Sequence, residues 1–208
     1  MKTFRALFND DMARAIVSGR KTVTRRPMKV QPAGVEWWLH GAPSSPGIGF
    51  PSFRDASGGG WLMCGPFLPP ASPGDILIGR ECWGWASWYD GANREGVEYR
   101  ADGARVAMER GDDPSIRAGW RPSIHMPDWA ARIRRRVMSV TVERVQDITE
   151  EDAVREGFEM GVVENYSTTA RDNFSAAWES IYAAKGLGWD VNPWAWRIEF
   201  ASENEPAA

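Results

Sequence analysis

Histidine and cysteine are scarce in this chain of 208 residues, which contains two of each. Neither His40 nor His125 belongs to a cluster of ligand-type residues, and no paired-cysteine motif is present, so we expect no metal site. Phosphate-loop and dinucleotide-binding glycine patterns are also missing, so we expect no cofactor. No serine stands in a nucleophile-elbow pattern. Lysine, threonine and carboxylate side chains are therefore the remaining candidates for chemistry.

The chain also lacks long apolar runs and an excess of positive charge. No apolar run reaches the length of a membrane span, and the N-terminus lacks the basic and apolar regions of a signal peptide. Cys64 and Cys82 allow one disulfide, but two lone cysteines are more typical of a reduced protein. We expect a cytoplasmic protein with no membrane contact. The net charge of −3 argues against wholesale binding of long nucleic acid and favours a small anionic or nucleoside ligand.

Aromatic residues and turn-forming residues are abundant instead. Twelve tryptophans and a hydrophobic content of 43% predict a folded globule with a substantial core. Segments rich in proline, glycine and serine predict long irregular insertions at about 32–73 and 102–119. The first insertion carries aromatic residues that favour burial, so we do not interpret it as a linker. We expect a single domain over 1–201 and a flexible tail over 202–208.

Apolar periodicity predicts short strands and helices without a regular βαβ alternation. The predicted strands lie at about 1–8, 22–27, 76–83, 133–145 and 193–200. The predicted helices begin after Asn9 or Asp10, after Thr149 and near Phe174, and glycines 19 and 157 follow the first two. Together these elements predict an α+β fold, with a small β-barrel, closed or nearly closed, flanked by short helices.

The segment from Gly19 to Arg26 concentrates the most chemistry. Neighbouring positive charges lower the pKa of a lysine, and a neutral Lys21 amine can act as a general base for a threonine hydroxyl. The same segment alternatively forms a solvated basic turn or binds phosphate. Residues three apart in a regular strand face opposite sides, so Lys21 and Thr24 converge only if the segment starts as a turn. Gly19 favours such a turn.

Two carboxylates are further candidates. Glu156 ends the predicted acidic helix, where the alternative is an ordinary solvent-facing glutamate. Glu81 lies among apolar residues of a predicted strand, and a carboxylate there requires a partner. We expect this partner to be an arginine such as Arg80 or Arg26.

The segment from Pro122 to Trp129 predicts a rigid loop that leads into a second basic patch at 132–136. Ser123 and His125 either reach a ligand from this loop, or the histidine holds the loop through hydrogen bonds. The arginines of the patch are either solvated or contact phosphate.

Taken together, these segments resemble the ASCH domain family of the PUA-like superfamily. That family carries the motif glycine, any residue, lysine, two residues, glutamate, any residue, arginine; Gly19, Lys21 and Arg26 match it, while Thr24 replaces the glutamate. A branch of small bacterial ASCH proteins also has threonine there and hydrolyses the amide of N4-acetylcytidine through a lysine, a threonine and a later glutamate. The resemblance implies these three roles for Lys21, Thr24 and Glu156, within a PUA-like barrel.

The chain is also similar to longer ASCH-like proteins of phages and prophages, over about half of its length. The shared segments lie at residues 7–10, 19–27, 73–75, 80–83, 123–127 and 192–194. ASCH relatives include hydrolases, ribonucleases and proteins that only bind RNA, and fold alone does not choose among them.

The leading hypothesis is a metal-independent amidohydrolase acting on an N-acylated pyrimidine nucleoside or base. In it Arg26 and Glu81 fix the turn, and Trp83 or Trp194 stacks on the pyrimidine. The alternatives are a module that binds RNA or a modified base without chemistry, a ribonuclease, and a phage accessory protein whose insertions mediate assembly. The expected ligand is therefore a modified nucleoside or RNA.

Overall fold

The computed structural model of the protein describes residues 1–29, 31, 37–41, 49–53, 69–108, 119–163 and 166–204. The helices in these ranges are α1 (Asp10–Val17), α2 (Glu150–Arg155) and α3 (Ala170–Tyr182). The strands are β1 (Thr3–Leu7), β2 (Val23–Pro27), β3 (Trp37–Gly41), β4 (Gly49–Phe53), β5 (Ile76–Arg80), β6 (Trp83–Tyr89), β7 (Asn93–Tyr99), β8 (Arg105–Ala107), β9 (Gly119–Arg121), β10 (Ile133–Arg144), β11 (Gly161–Val163), β12 (Tyr166–Thr168) and β13 (Trp194–Phe200).

The protein has a mixed α+β fold, as predicted, built around a sheet in the order β1-β5-β10-β13-β2. Strands β1 and β5 are parallel, and the other neighbours are antiparallel. The long β10 joins the two halves, because its first residues pair with β5 and its remainder pairs with β13 after an irregularity between Val137 and Ser139. Over the described ranges, β1 and β2 are opposite edges and do not pair, so this sheet is open there.

A second sheet, in the order β8-β7-β6-β9, is formed by the chain between β5 and β10 of the first sheet. Its hairpin of β6 and β7 buries Trp83, Trp85, Val97 and Tyr99 in one cluster. Only the beginning of β6 was predicted from the sequence. The predicted insertion at 32–73 contains the paired strands β3 and β4, and its remainder lies almost wholly outside the described residues. Part of the predicted insertion at 102–119 forms β8, which pairs with β7.

Helices α1 and α2 begin at the predicted capping residues, whereas α3 begins at Ala170, four residues before the predicted position near Phe174. The side chains of Asn9, Thr149 and Thr169 each accept a hydrogen bond from the backbone N–H three residues later. Such caps satisfy one of the unpaired N–H groups of a first helical turn. In the part of the chain that the structure describes, no helix has the length and apolar character of a membrane span.

The predicted tail begins within the described residues, which also include one of the two cysteines. Asn204, in the predicted tail, accepts a hydrogen bond from the Arg134 backbone N–H at 3.1 Å, and residues 205–208 lie outside the described ranges. Cys82 is a buried free thiol, whereas Cys64 lies outside the described residues.

Candidate active site

The segment that carries Lys21 is a turn clamped between two helices. Gly19 adopts a left-handed conformation with φ of 77°, which ends α1 and reverses the chain. The Lys21 N–H then donates to the Ala15 carbonyl, and the Thr22 N–H donates to the Arg155 carbonyl, each at 2.9 Å. The turn that Gly19 predicted is therefore present, and its backbone is fixed to both α1 and α2.

Gly157 allows the end of α2 to approach this turn. Its φ of 93° lies in the left-handed region, and a Cβ placed there would lie 2.9 Å from the Ala15 Cβ and 3.3 Å from the Lys21 Cβ. A larger residue would therefore separate the two segments as well as strain the backbone. Because Glu156 is the residue just before Gly157, this close approach brings its carboxylate to Lys21.

Lys21 and Glu156 form a buried contact. Lys21 Nζ lies 2.5 Å from Glu156 Oε2 and 2.7 Å from the Glu156 carbonyl oxygen. The two residues are only 2% and 3% exposed. The pKa of Lys21 lies below its ordinary value because burial disfavours the ammonium form, although the Glu156 carboxylate opposes this effect. The alternative of a solvent-facing Glu156 is therefore wrong.

Arg25 holds the other side of the Glu156 carboxylate. Its guanidinium Nη1 lies 3.3 Å from Glu156 Oε1, and it also contacts Glu143 and Asp152, each at 2.5 Å. The Arg25 side chain is fully buried, so the prediction of a solvated basic turn is wrong at this position. One buried cation thus fixes three carboxylates, contributed by α2, by the residue that follows α2 and by β10.

Asp152 is held by two arginines of this network. Arg197 donates to both of its oxygens, at 2.9 and 3.0 Å, and Arg25 donates to Oδ2. The hydrogen bonds from Arg197, together with Arg25, lower the pKa of Asp152 from 3.8 to about 2. Since the folded state binds the proton less tightly than the unfolded chain, the ionised Asp152 stabilises the fold above pH 4, and this stability is lost as the pH falls toward 2.

Asp152→Asn should therefore flatten the acid dependence of stability. The difference between the folded and the unfolded pKa of Asp152 corresponds to about 2 kcal/mol of stability in the wild-type protein. The wild type loses this contribution between about pH 5 and pH 2, in addition to the losses of stability that both proteins share. Urea unfolding of the two proteins over this pH range measures the difference. Parallel pH dependences of the unfolding free energy would show that the Asp152 carboxylate is not held as described.

Lys21, Thr24 and Glu156 line one cleft of about 310 Å³, which we call the lysine cleft. The remaining lining residues come from the end of β1, from α1, from β2, from the segment after α2 and from the apolar face of α3. They are Leu7, Phe8, Asn9, Asp11, Met12, Arg25, Arg26, Phe158, Phe174, Ala177, Trp178, Ile181 and Tyr182. Thr24 is 3% exposed, and its hydroxyl makes no hydrogen bond to any described residue. The cleft therefore combines an amine, a hydroxyl and a carboxylate with aromatic walls.

Arg26 lies beside this constellation, but Glu81 does not. Arg26 lines the lysine cleft, donates to the Leu7 carbonyl at 2.8 Å and packs over the Phe8 ring. Glu81 is fully buried and paired bidentately with Arg132, at 2.8 and 2.9 Å. The predicted partners Arg80 and Arg26 were therefore wrong.

The predicted stacking residues lie elsewhere in the structure. Trp83 is 2% exposed and meets Trp129 edge-on in the second sheet's core, and Trp194 lies under the Arg144 guanidinium. Neither tryptophan belongs to the lining of the lysine cleft. Their sequence neighbours match the resemblance, but Trp83 lies in the packed interior and Trp194 is partly buried against the core of the first sheet.

The predicted loop places its two candidates apart. Ser123 lines a second cleft beside the lysine cleft, whereas His125 is exposed and lines neither of them. Within the described residues, the His125 side chain makes no hydrogen bond, so it does not hold the loop in the predicted way. The loop's first helical turn is closed by its backbone instead, with the His125 N–H donating to the Pro122 carbonyl.

Sequence reasoning missed the aromatic wall of the cleft. Trp178 and Tyr182 have ring centroids 4.5 Å apart, and Phe174 and Phe158 meet edge-on nearby. The predicted helix near Phe174 carries three of these residues, but they were not assigned to a site from the sequence. Aromatic residues spaced four apart on one helix, opposite a basic turn, are the signal that identifies such a wall.

The chemical capacity of the site follows from these groups. A buried amine with a lowered pKa can accept a proton, and a hydroxyl in the same cleft can attack or orient water. No group of three His, Cys, Asp or Glu residues suited to a metal ion occurs among the described residues.

Comparison with models of protein families, with curated proteins and with solved structures gave no match to this chain.

Proposed function

We propose that the protein is a metal-independent amidohydrolase that acts on an N-acylated pyrimidine nucleoside or base, of which N4-acetylcytidine is the type. The observation that carries the proposal is the buried contact of Lys21 with Glu156 in a cleft that Thr24 also lines. The proposal includes membership of the ASCH family and a PUA-like barrel built on the five-stranded sheet. The resemblance of the Gly19–Arg26 motif supports that part.

The contacts of Lys21 Nζ suit a neutral amine. A neutral amine has two N–H groups and one lone pair, and Nζ has two acceptors, the carbonyl oxygen and Oε2 of Glu156. Both N–H groups are then satisfied, and the lone pair is left for a proton. Burial favours this form further because it removes the hydration of the ammonium ion.

In the proposed reaction Lys21 takes a proton from the Thr24 hydroxyl, or from a water molecule that Thr24 orients. The activated oxygen attacks the acyl carbon, the C–N bond breaks, and the leaving amine takes a proton from the Lys21–Glu156 pair. If Thr24 itself attacks, a water molecule then hydrolyses the resulting ester. Either route consumes one water molecule and releases a carboxylic acid and the free amine.

The walls of the lysine cleft fit a flat heterocycle. Phe158, Phe174, Trp178 and Tyr182 supply ring faces and edges on the side formed by α3. Aromatic side chains hold a nucleobase by stacking, which tolerates differences in its exocyclic groups. These residues take the role that we had predicted for Trp83 or Trp194.

The alternative function is a module that binds its ligand without chemistry, and the contact between Lys21 and Glu156 is also compatible with it. A distance of 2.5 Å between Lys21 Nζ and Glu156 Oε2 fits an ammonium–carboxylate pair. In that case Lys21 would be structural, since a residue 2% exposed and held by Glu156 is not free to contact phosphate. Turnover separates the two functions, because only the hydrolase releases a product.

The direct test is to incubate the purified protein with N4-acetylcytosine and N4-acetylcytidine in the presence of a chelator. Chromatography should show the deacylated pyrimidine together with an equal amount of acetate. The matched control is Arg94→Gln, which removes an exposed arginine of the β6–β7 hairpin and should turn over like wild type. Binding of these compounds with no acetate released would overturn the hydrolase and leave the binding module.

Thr24 gives a second test of the chemistry. Thr24→Val keeps the shape of the side chain but removes the hydroxyl, and we expect a loss in kcat of about 100-fold or more. Thr24→Ser retains the hydroxyl and should stay within about tenfold of wild type. Steady-state rates with N4-acetylcytidine measure both variants. Equal rates for the Thr24→Val and Thr24→Ser variants would show that the hydroxyl takes no part in the hydrolysis.

A further inference from the structure

Arg26 carries a charge that no carboxylate of the described residues neutralises. Its Nη2 donates to the Leu7 carbonyl at 2.8 Å and its Nη1 donates to the Tyr182 hydroxyl at 3.5 Å, and neither contact is an ion pair. A guanidinium has five N–H groups, so further donors remain for another acceptor. Arg26 is partly exposed and lines the lysine cleft. The cleft therefore contains an arginine that is able to bind a negative charge.

Tyr182 places a hydroxyl beside this arginine. Its oxygen accepts the N–H of Arg26, and its own O–H donates to no residue in the part of the chain that the structure describes. The residue is 8% exposed, and its ring centroid lies 4.5 Å from that of Trp178. The hydroxyl is thus held in place by its ring, while its proton is available to an acceptor in the cleft.

Strand β2 presents Arg26 on the same side as Thr24. Residues two apart in a strand share one face and lie about 7 Å apart along it, and both of these line the lysine cleft. The pKa of Lys21 is lowered chiefly by burial and further by the charges of Arg26 and Arg25, so the Arg26 guanidinium also lies near the amine. An acyl group attacked at Thr24 therefore has its oxygen within reach of Arg26.

Three buried side chains of the lysine cleft carry N–H groups, and all three are already bonded. The amine of Lys21 and the guanidinium of Arg25 contact carboxylates. The indole N–H of Trp178 donates to a backbone carbonyl at 2.8 Å. Asn9 is exposed, and its side-chain oxygen caps α1. Arg26 and the hydroxyl beside it are therefore the donors that a charge forming in the cleft would meet.

We propose that Arg26 and Tyr182 are further catalytic residues, which bind the acyl oxygen as it becomes negatively charged. The inference rests on the proposed function, since it assigns donors to the same hydrolysis. When the activated oxygen attacks the acyl carbon, an electron pair of the C=O bond moves onto the acyl oxygen, and it returns when the C–N bond breaks. Both residues donate hydrogen bonds to this oxygen and transfer no proton. Donors placed for a charge that forms only in the transition state raise kcat rather than tighten substrate binding.

The kinetics of N4-acetylcytidine hydrolysis separate this role from that of a structural arginine. Arg26→Met should lower kcat about 100-fold and leave KM within about threefold, whereas Arg26→Lys keeps the charge and should stay within about tenfold of wild type. Tyr182→Phe keeps the ring but removes the O–H, and it should lower kcat about tenfold. This variant tests the pair even where Arg26→Met does not fold.

Arg144→Met is the matched control for Arg26→Met. Arg144 likewise donates to a backbone carbonyl, at 2.9 Å, and lies over an aromatic ring, but it does not line the lysine cleft. Its replacement should leave kcat and KM unchanged. If Arg26→Met and Tyr182→Phe both keep kcat within about threefold of the Arg144→Met value, the two residues do not bind the acyl oxygen, and the hydrolase still stands.

A tetrahedral anion tests the same donors without turnover. In the N4-methylphosphonamidate of cytosine, phosphorus and its charged oxygens stand for the attacked acyl carbon. Isothermal titration should show that this compound binds wild type at least about 100-fold more tightly than cytosine does, and that Arg26→Met removes most of this difference. Equal affinity of wild type and Arg26→Met for the phosphonamidate would overturn the proposal. Arg26-dependent binding by a protein that releases no acetate would instead overturn the hydrolase, and the anion site at Arg26 would remain.

Discussion

Lys21→Met should lower kcat/KM for N4-acetylcytidine by about 1000-fold, within the range that a general base contributes. Methionine fills much of the same volume but has no lone pair of comparable basicity to accept the proton. The pKa of the Lys21 amine is lowered by burial, so wild-type kcat/KM should rise with pH through a pKa below 10.5. Initial rates over a pH series measure both the loss and the profile.

Arg20→Met is the matched control for this substitution. Arg20 is the neighbouring cation, its side chain is 48% exposed, and it pairs with Glu159 outside the lysine cleft. Its replacement should leave kcat/KM and the pH profile unchanged. A Lys21→Met protein that unfolds cooperatively and retains more than about a tenth of the wild-type rate would contradict the role of Lys21 as base.

Arg25→Met should give the largest loss of stability, about 3 to 5 kcal/mol in the free energy of unfolding. The guanidinium is fully buried and contacts three carboxylates. After its removal Glu156 retains Lys21 and Asp152 retains Arg197, but Glu143 keeps no ion-pair partner among the described residues. Burial already raises the pKa of Glu143, so this carboxyl group would take up a proton more readily in the variant.

Arg94→Met provides the reference for an exposed pair. Asp90, in the turn of the β6–β7 hairpin, and Arg94, on β7, are four residues apart and each is about half exposed. Exposed ion pairs of this kind contribute at most about 1 kcal/mol. Urea unfolding of wild type and the two variants measures both effects. If Arg25→Met lowers the free energy of unfolding no more than Arg94→Met does, the buried network does not hold the end of α2 against β2.

Local signals predicted the parts of the site that lie close together in sequence. The caps at Asn9 and Thr149 fixed where α1 and α2 begin, and Gly19 and Gly157 fixed where each one ends. These positions depend on backbone conformation and nearest neighbours, which the sequence displays directly. The placement of Lys21 just after one helix and of Glu156 at the end of another followed from them.

Partners that are distant in sequence could not be predicted in the same way. Arg25 meets Glu143 118 residues later, because β2 and β10 flank β13 in the sheet, and no local pattern encodes that order. Glu81 likewise pairs with Arg132, which no spacing rule distinguishes from Arg80. The aromatic wall escaped prediction because the amphipathic face of α3 looks the same whether it covers a core or lines a cleft.

The central claim is that Lys21 carries a neutral amine beside Glu156. Nitrogen NMR of the lysine side chains tests it most directly, since the chain has four lysines and Lys21→Met identifies the Lys21 signal by its absence. We predict that Lys21 Nζ titrates below 10.5 and shows the shift of a neutral amine at the pH of maximal turnover. An Nζ signal that remains that of an ammonium ion throughout the active pH range would contradict the claim.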